Sequence, residues 1–265
     1  MRWSDRRILI TGASGGIGRE LVTLLAQRGA RLLIVGRNAS VMKELTALEP
    51  ERIRALSADL TTREDRRRVL EAADDVRIDM LINAAGVNHF GLFDEQSPAA
   101  ISSMVDLNVT ATLLLTQALL PRLLHENSAW IVNLGSAFGA IGHPGYTAYC
   151  TTKFALRGFS QALRRELADT PVHVLHISPR ATRTGMNSDR ANALNTAQGN
   201  HVDEPARVAA SVIRGIETRA RDRQLGWPEC LLVRLNGILP GIVDRALKKR
   251  LPTIQQHARR PSPSS

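Results

Sequence analysis

The only two tyrosines of the chain, Tyr146 and Tyr149, lie in the stretch YTAYCTTK, which ends at Lys153. On a helix a residue and its fourth successor share a face, so Tyr149 and Lys153 would set a phenol beside an ammonium. Such a pair is either ordinary packing or an acid–base device. A free tyrosine ionises near ~10, and a neighbouring ammonium favours the phenolate and lowers that value. A second stretch, TGASGGIG from Thr11 to Gly18, could hold an anion. Gly12, Gly16 and Gly18 let the backbone turn sharply and approach a pyrophosphate, whose charge sits at the N-terminus of the following helix. The spacing is T-G-x-x-x-G-x-G, since Leu21 stands where the third glycine of G-x-G-x-x-G would be.

A dinucleotide with a free ribose 2′-hydroxyl usually meets an Asp or Glu about 20 residues past the glycines. Here the stretch is VGRN, with Gly36 and Arg37. Arg37 stands near a helix start, where a cation opposes the macrodipole unless an anion compensates it. A 2′-phosphate would be that anion, so NADP is the expected cofactor; the alternative is a solvated arginine. Cys150, Cys230 and the histidines have no metal-ligand spacing, and no metal is expected.

These residues need a frame. Strand patterns occur at 6–11, 31–35, 52–58, 79–84, 130–135 and 172–178, most of them apolar throughout, as in strands covered on both faces. Amphipathic helical stretches alternate with them; TTREDRRRVLEAA opens on a capping box of Thr61 and Glu64. The alternation predicts an α/β fold with a doubly wound parallel sheet of Rossmann type. The chain reads as a single domain, with cofactor and catalytic residues within 1–228. A helical extension and basic tail follow at 229–265. In 98–124, Leu113, Leu114, Leu115, Leu119 and Leu120 cover more than one helical face, and Phe154 to Leu167 add another greasy surface. Packing on the sheet and a subunit contact would cover them.

The net charge is +10, from 35 basic and 25 acidic residues. No helix-turn-helix, zinc or aromatic RNA-binding signature accompanies it, so specific nucleic-acid binding is not expected. The N-terminus shows no signal-peptide pattern, and no uncharged run reaches the ~20 residues of a bilayer span. A soluble cytoplasmic protein is the expectation. Near the C-terminus, ILPGIVDRALKKRL places Leu239, Ile242, Val243, Ala246, Leu247 and Leu251 on one face and Arg245, Lys248, Lys249 and Arg250 opposite. We expect this amphipathic basic helix to dock on its own domain or on a partner subunit, with peripheral membrane attachment as the second reading.

Taken with TGASGGIG, the motifs SADL, NAAG, LNVT, LGSAFG and YTAYCTTK resemble, in order and spacing, those of the classical short-chain dehydrogenase/reductase family over about residues 5–190. The resemblance implies a catalytic tetrad of Asn108, Ser136, Tyr149 and Lys153. Ser136 would hydrogen-bond the substrate oxygen, and Lys153 would also hold the nicotinamide ribose. Asn108 would support a water behind Lys153. Cofactor contacts would come from Gly12, Ser14, Gly16, Ile17, Gly18 and Arg37, with Asp59 and Leu60 at the adenine. Asn83, Ala84 and Gly86 would follow the fourth strand, and Pro179, Thr182 and Thr184 the sixth. Tyr146 would line the pocket or pack. In SPRATRTGM, Arg180 replaces the family's usual glycine; a solvent or interface role is expected for it, with contact to an anionic substrate as the alternative. The polar stretch 185–205 falls at the family's substrate lid. The implied function is hydride transfer between NADP(H) and a carbonyl or secondary alcohol, in a homodimer or homotetramer. The alternatives are an NAD-linked alcohol dehydrogenase of the same fold and a non-catalytic NADPH-binding sensor.

Overall fold

The computed structural model describes residues 1–259; the last part of the basic tail, from Arg260, lies outside the described residues. The apolar runs form β1 (Arg7–Thr11), β2 (Arg31–Gly36), β3 (Ile53–Ser57), β4 (Met80–Asn83), β5 (Ala129–Leu134) and β6 (Val172–Ser178). A short polar strand, β7 (Asp222–Gln224), was not among the expected ones. All pair in parallel, in the order β3-β2-β1-β4-β5-β6-β7. The order reverses between β1 and β4, which opens a crevice at their C-terminal ends.

Helices cover both faces. On one, α1 (Gly16–Gln27), α2 (Ala39–Leu48) and α8 (Pro205–Glu217) bury Leu21, Leu25, Leu45, Val212 and Ile216 against the sheet. On the other, α3 (Arg63–Val76), α5 (Thr112–Leu124) and α6 (Thr147–Glu166) bury Val69, Leu115, Leu119 and Leu163. With both faces covered, β4 and β5 are buried at every position.

The start of α3 departs from the expected capping box by one residue. Thr62 is the N-cap and accepts from Asp65 N at 3.1 Å. Asp59 captures Thr61, whose Oγ1 donates to its carboxylate at 2.8 Å, and Glu64 pairs with Arg67.

The leucine-rich stretch is one continuous helix. A π turn, Asp106–Ala111, joins α4 (Pro98–Val105) to α5. By length and composition this 27-residue helix could cross a membrane; Leu115, Leu119 and Leu123 are instead buried against the sheet. Leu114 on α5 and Phe154 on α6 stay exposed.

After β6 come α7 (Asp189–Ala197), α8, β7, α9 (Glu229–Ile238) and α10 (Pro240–Ala258). The docking expected for the C-terminal helix is half of what occurs. The second half of α10 buries Ile254 and Ala258 in a small core with Phe90, Tyr146, Ala191 and Leu194. In its first half Ile242 and Ala246 remain exposed, because the wall they face is a cavity and not packed protein; Leu239, just before α10, is exposed outside that cavity.

Candidate active site

The loop after β1 turns at Gly12, whose φ of +68° suits glycine; a Cβ there would lie 2.6 Å from Ala85 N. A Cβ on Gly18 would fall 2.2 Å from Gly12 O, so the loop closes tightly on α1. The N-cap of α1 is Gly15, which has no side chain to cap the helix. The first-turn N–H groups therefore face the crevice with the positive end of the helix dipole.

This crevice opens into a cavity of about 870 Å³, lined by Ser14, Gly16, Ile17 and Arg37 on one side and by Ser136, Tyr149 and Lys153 on the other. Gly12, Gly18, Asp59, Leu60, Ala84, Gly86, Pro179, Thr182 and Thr184 complete the set of expected residues in its wall. Arg37 makes no ion pair within 4 Å among the described residues. Its charge, and more strongly the hydrogen bonds from Thr61, hold the Asp59 carboxyl below the ordinary carboxylate range; the Thr61 bonds come first.

Tyr149 and Lys153 share a face of α6, with Lys153 Nζ 5.7 Å from the centre of the phenol ring. Lys153 is buried and Tyr149 half-buried in the wall. Lys153 Nζ donates to Leu134 O at 3.0 Å, and burial pulls its pKa down to about 8. Burial pushes Tyr149 up to about 12, against a smaller lowering by its hydrogen bond with Ser136. From the sequence, the ammonium beside it is expected to lower the phenol. Burial instead is the largest influence on both, because it disfavours the charged form of each side chain. Ser136 Oγ accepts from Phe138 N at 3.1 Å, which fixes its lone pair.

Two expected residues lie behind the wall. Asn83 donates its amide hydrogens to Thr116 Oγ1 at 3.1 Å and to Asn133 Oδ1 at 2.9 Å. Its side chain therefore points into the sheet and away from the cofactor crevice. Asn133 continues to Ser160, Ser160 to His176, and His176 to Ser178, a buried polar chain across β4, β5, α6 and β6. Asn108, on the π turn, accepts from Val87 N at 2.8 Å and donates to Val87 O at 2.9 Å and Thr152 Oγ1 at 3.1 Å. The side chain clamps the segment after β4 to α6, with every amide hydrogen used.

Tyr146 is the N-cap of α6 and packs with Phe90 and Phe138, both at 4.8 Å between ring centres. Arg180 does not face solvent, although it contributes to the cavity wall. It is buried and holds Asp203 bidentately, both bonds at 2.9 Å, and it also donates to Trp227 O at 3.1 Å and Glu229 at 3.3 Å. Asp203 closes the lid segment and Glu229 opens α9, so one guanidinium ties both to the end of β6.

The cavity's outer wall escaped the sequence reading. Leu232 and Leu235 of α9 and Ile242, Val243, Ala246 and Leu247 of α10 line it, facing Phe138 and Ile141. The helical spacing of these residues announced an apolar face, but nothing local says whether such a face meets protein or a cavity. Among the described residues no His/Cys/Asp/Glu group could hold a metal ion.

A sequence profile described as short chain dehydrogenase matches residues 6–195. Nodulation protein G of Rhizobium sp. (strain N33) is 32% identical over 191 residues, covering 71% of this chain and 78% of that protein. A short-chain dehydrogenase from Sphingobium yanoikuyae, solved in complex with NADPH, superposes with a TM-score of 0.77 at 29% identity and covers 98% of both chains. A 3-ketoacyl-(acyl-carrier-protein) reductase from Brucella melitensis, complexed with NADH, shares the fold with a TM-score of 0.79 at 22% identity, over 86% of this chain and 99% of its own.

Proposed function

The chain belongs to the short chain dehydrogenase family, oxidoreductases that bind a nicotinamide nucleotide, and from that premise we propose that it is an NADP-linked reductase of ketones or aldehydes, working on the corresponding alcohol in reverse. The observation that carries this is the meeting of Ser136, Tyr149 and Lys153 with the glycine loop in one cavity. The residues present fit the cofactor. The uncapped start of α1 matches a pyrophosphate, and a Cβ at Gly12 would fill the approach to it. Arg37, unpaired within salt-bridge distance, matches a 2′-phosphate. The NADPH complex of the Sphingobium relative supports the same choice.

Bound in the crevice, the nicotinamide supplies or accepts the hydride. Tyr149 is protonated at neutral pH because burial holds its pKa high, so it is ready to donate a proton to the substrate oxygen as charge develops there. Ser136 shares a hydrogen bond with Tyr149 and presents its hydroxyl to the same oxygen. Lys153 lies close enough to stabilise the phenolate at the moment it forms. One Lys153 proton is held by Leu134 O, which leaves further donors for the ribose hydroxyls. Asn108 acts at one remove, fixing the segment of Gly86 and Val87 against α6. The exposed Leu114 and Phe154 support assembly as a homodimer or homotetramer.

A panel of carbonyls and alcohols run with both nicotinamide cofactors tests the reading. Steady loss of NADPH absorbance with a ketone or aldehyde is the expected result. NADPH binding without turnover across the panel would instead make the protein a sensor, and equal rates with NADH would remove the assignment of Arg37.

A further inference from the structure

Beyond the catalytic wall, the two C-terminal helices carry a surface that the reductase reading does not use. Leu231, Ile238 and Leu239 are 50%, 77% and 52% exposed along α9 and its elbow with α10, and Trp227, 69% exposed, stands just before α9. They alternate with cations. On α9, Leu231, Arg234 and Ile238 stand at i, i+3 and i+7, so they share a face. On α10, Arg245 and Lys249 stand at i+3 and i+7 from Ile242 and flank the edge of the apolar face there. The acids of the two helices are placed elsewhere. Glu229 is held by Arg180, and Asp244, two residues after Ile242, points about 200° round the helix.

We infer that this elbow docks on an anionic lipid bilayer and admits a lipophilic carbonyl or alcohol substrate from it. Charge complementarity selects this occupant over a second copy of the chain. A two-fold contact through the elbow would bring Arg234, Arg245 and Lys249 of both copies together with no facing acid. A bilayer surface offers hydrocarbon for Ile238 and Leu239 and anionic headgroups for the flanking cations. The apolar surface is also continuous with the cavity. Leu232 and Ile242 are both exposed at the rim and part of the lining, and Leu235, Val243 and Leu247 carry the apolar wall inward. Such a ramp suits a lipid-dissolved carbonyl better than a small water-soluble one, with Arg250 and Glu229 as charged residues also in the lining. The substrate half of this inference rests on the reductase reading; the docking half does not.

Flotation of the full chain with phosphatidylcholine vesicles, with and without phosphatidylserine, at about 0.15 M salt tests the docking. The expected result is strong binding to the serine-containing vesicles and weak binding to the others. Arg245→Gln with Lys249→Gln should weaken partitioning by about tenfold or more, since each basic residue near such a surface contributes about fivefold. Ile238→Ser with Leu239→Ser should abolish binding while leaving the melting temperature and NADPH affinity unchanged. A wild-type protein that ignores phosphatidylserine vesicles overturns the docking, as do variants that bind like wild type. A drop in oligomer mass in the Ile238→Ser/Leu239→Ser protein, by light scattering, would assign the elbow to a second copy. For the substrate, kcat/KM with long-chain ketones should rise several-fold when they are supplied in vesicles, and the serine variant should lose that rise. Vesicle binding with no reduction of any ketone would refute the reductase reading alone. Efficient reduction of soluble ketones with no vesicle effect would refute the inference alone.

Discussion

Tyr149 and Tyr146 differ by three positions and by their surroundings. Tyr149 shares a hydrogen bond with Ser136 and lies beside Lys153, whereas Tyr146 is packed among Phe90, Phe138 and His143. Tyr149→Phe should therefore remove nearly all turnover and leave NADPH affinity intact, and Tyr146→Phe should keep a substantial fraction of activity. Steady-state rates beside NADPH fluorescence titration check both, and the reverse pattern would shift the site by one helical turn. The cofactor side has its own test. Charge-assisted hydrogen bonds contribute about 1.5–3 kcal/mol, so Arg37→Ala should weaken NADPH binding by roughly ten- to a hundred-fold and leave NADH nearly unaffected. Lys153 adds a pH signature. Its folded pKa of about 8 means that the ammonium is present below that pH and lost above it. Reductive kcat/KM should accordingly decline as pH rises through about 8. At this scale the sequence was most legible, since loop glycines, Arg37, Ser136, Tyr149 and Lys153 all face one cavity. It failed at Asn83, where a motif position told nothing of which way an amide points.

Among the elements, the buried chain from Asn83 to Ser178 links four of them and contains a histidine. Burial, and then the charge of Lys153, pull His176 down to about 4. Between about pH 4 and the ordinary value near ~6.5, the unfolded chain binds a proton that the folded chain refuses, so stability falls as pH drops through that window. The shift corresponds to about 3 kcal/mol, and urea midpoints measured from pH 7 to 4 should show it. His176→Asn should flatten this dependence, while losing the bonds to Ser160 and Ser178 at neutral pH. Continuous apolar runs made the six longer strands legible. β7 was not, because three polar residues carry no period and their pairing with β6 is set by distant packing. The cap of α3 was misread by one residue, since Thr61 and Thr62 are chemically alike and only the position of Asp59 separates them.

For the molecule as a whole, Arg180 fastens together parts that the sequence keeps apart. Removing it would leave the buried Asp203 carboxylate with only the 3.4 Å contact of the exposed Arg207 and release Glu229 at the start of α9. Arg180→Ala should destabilise by about 3–5 kcal/mol, the usual cost of breaking a buried pair from one side. Asp203→Ala added to it should recover part of that loss, and denaturant melts of the double-mutant cycle would measure the coupling. A larger loss in the double variant would show that the two residues act separately. The arginine was visible in the sequence as a departure from the family's glycine, but its partners, 23 and 49 residues away, were not. Its space was equally hidden: a Cβ on Gly226 would lie 2.7 Å from Arg180 Cδ. The arginine thus has historical preconditions. A lineage moving from glycine to arginine at this position must already hold, or gain together with it, an acid at 203 and a glycine at 226. The way back is costly as well, because reversion alone leaves the buried Asp203 carboxylate with only the more exposed Arg207 as a partner. Descendants of this chain should consequently keep an acid at 203 and a glycine at 226 for as long as they keep Arg180.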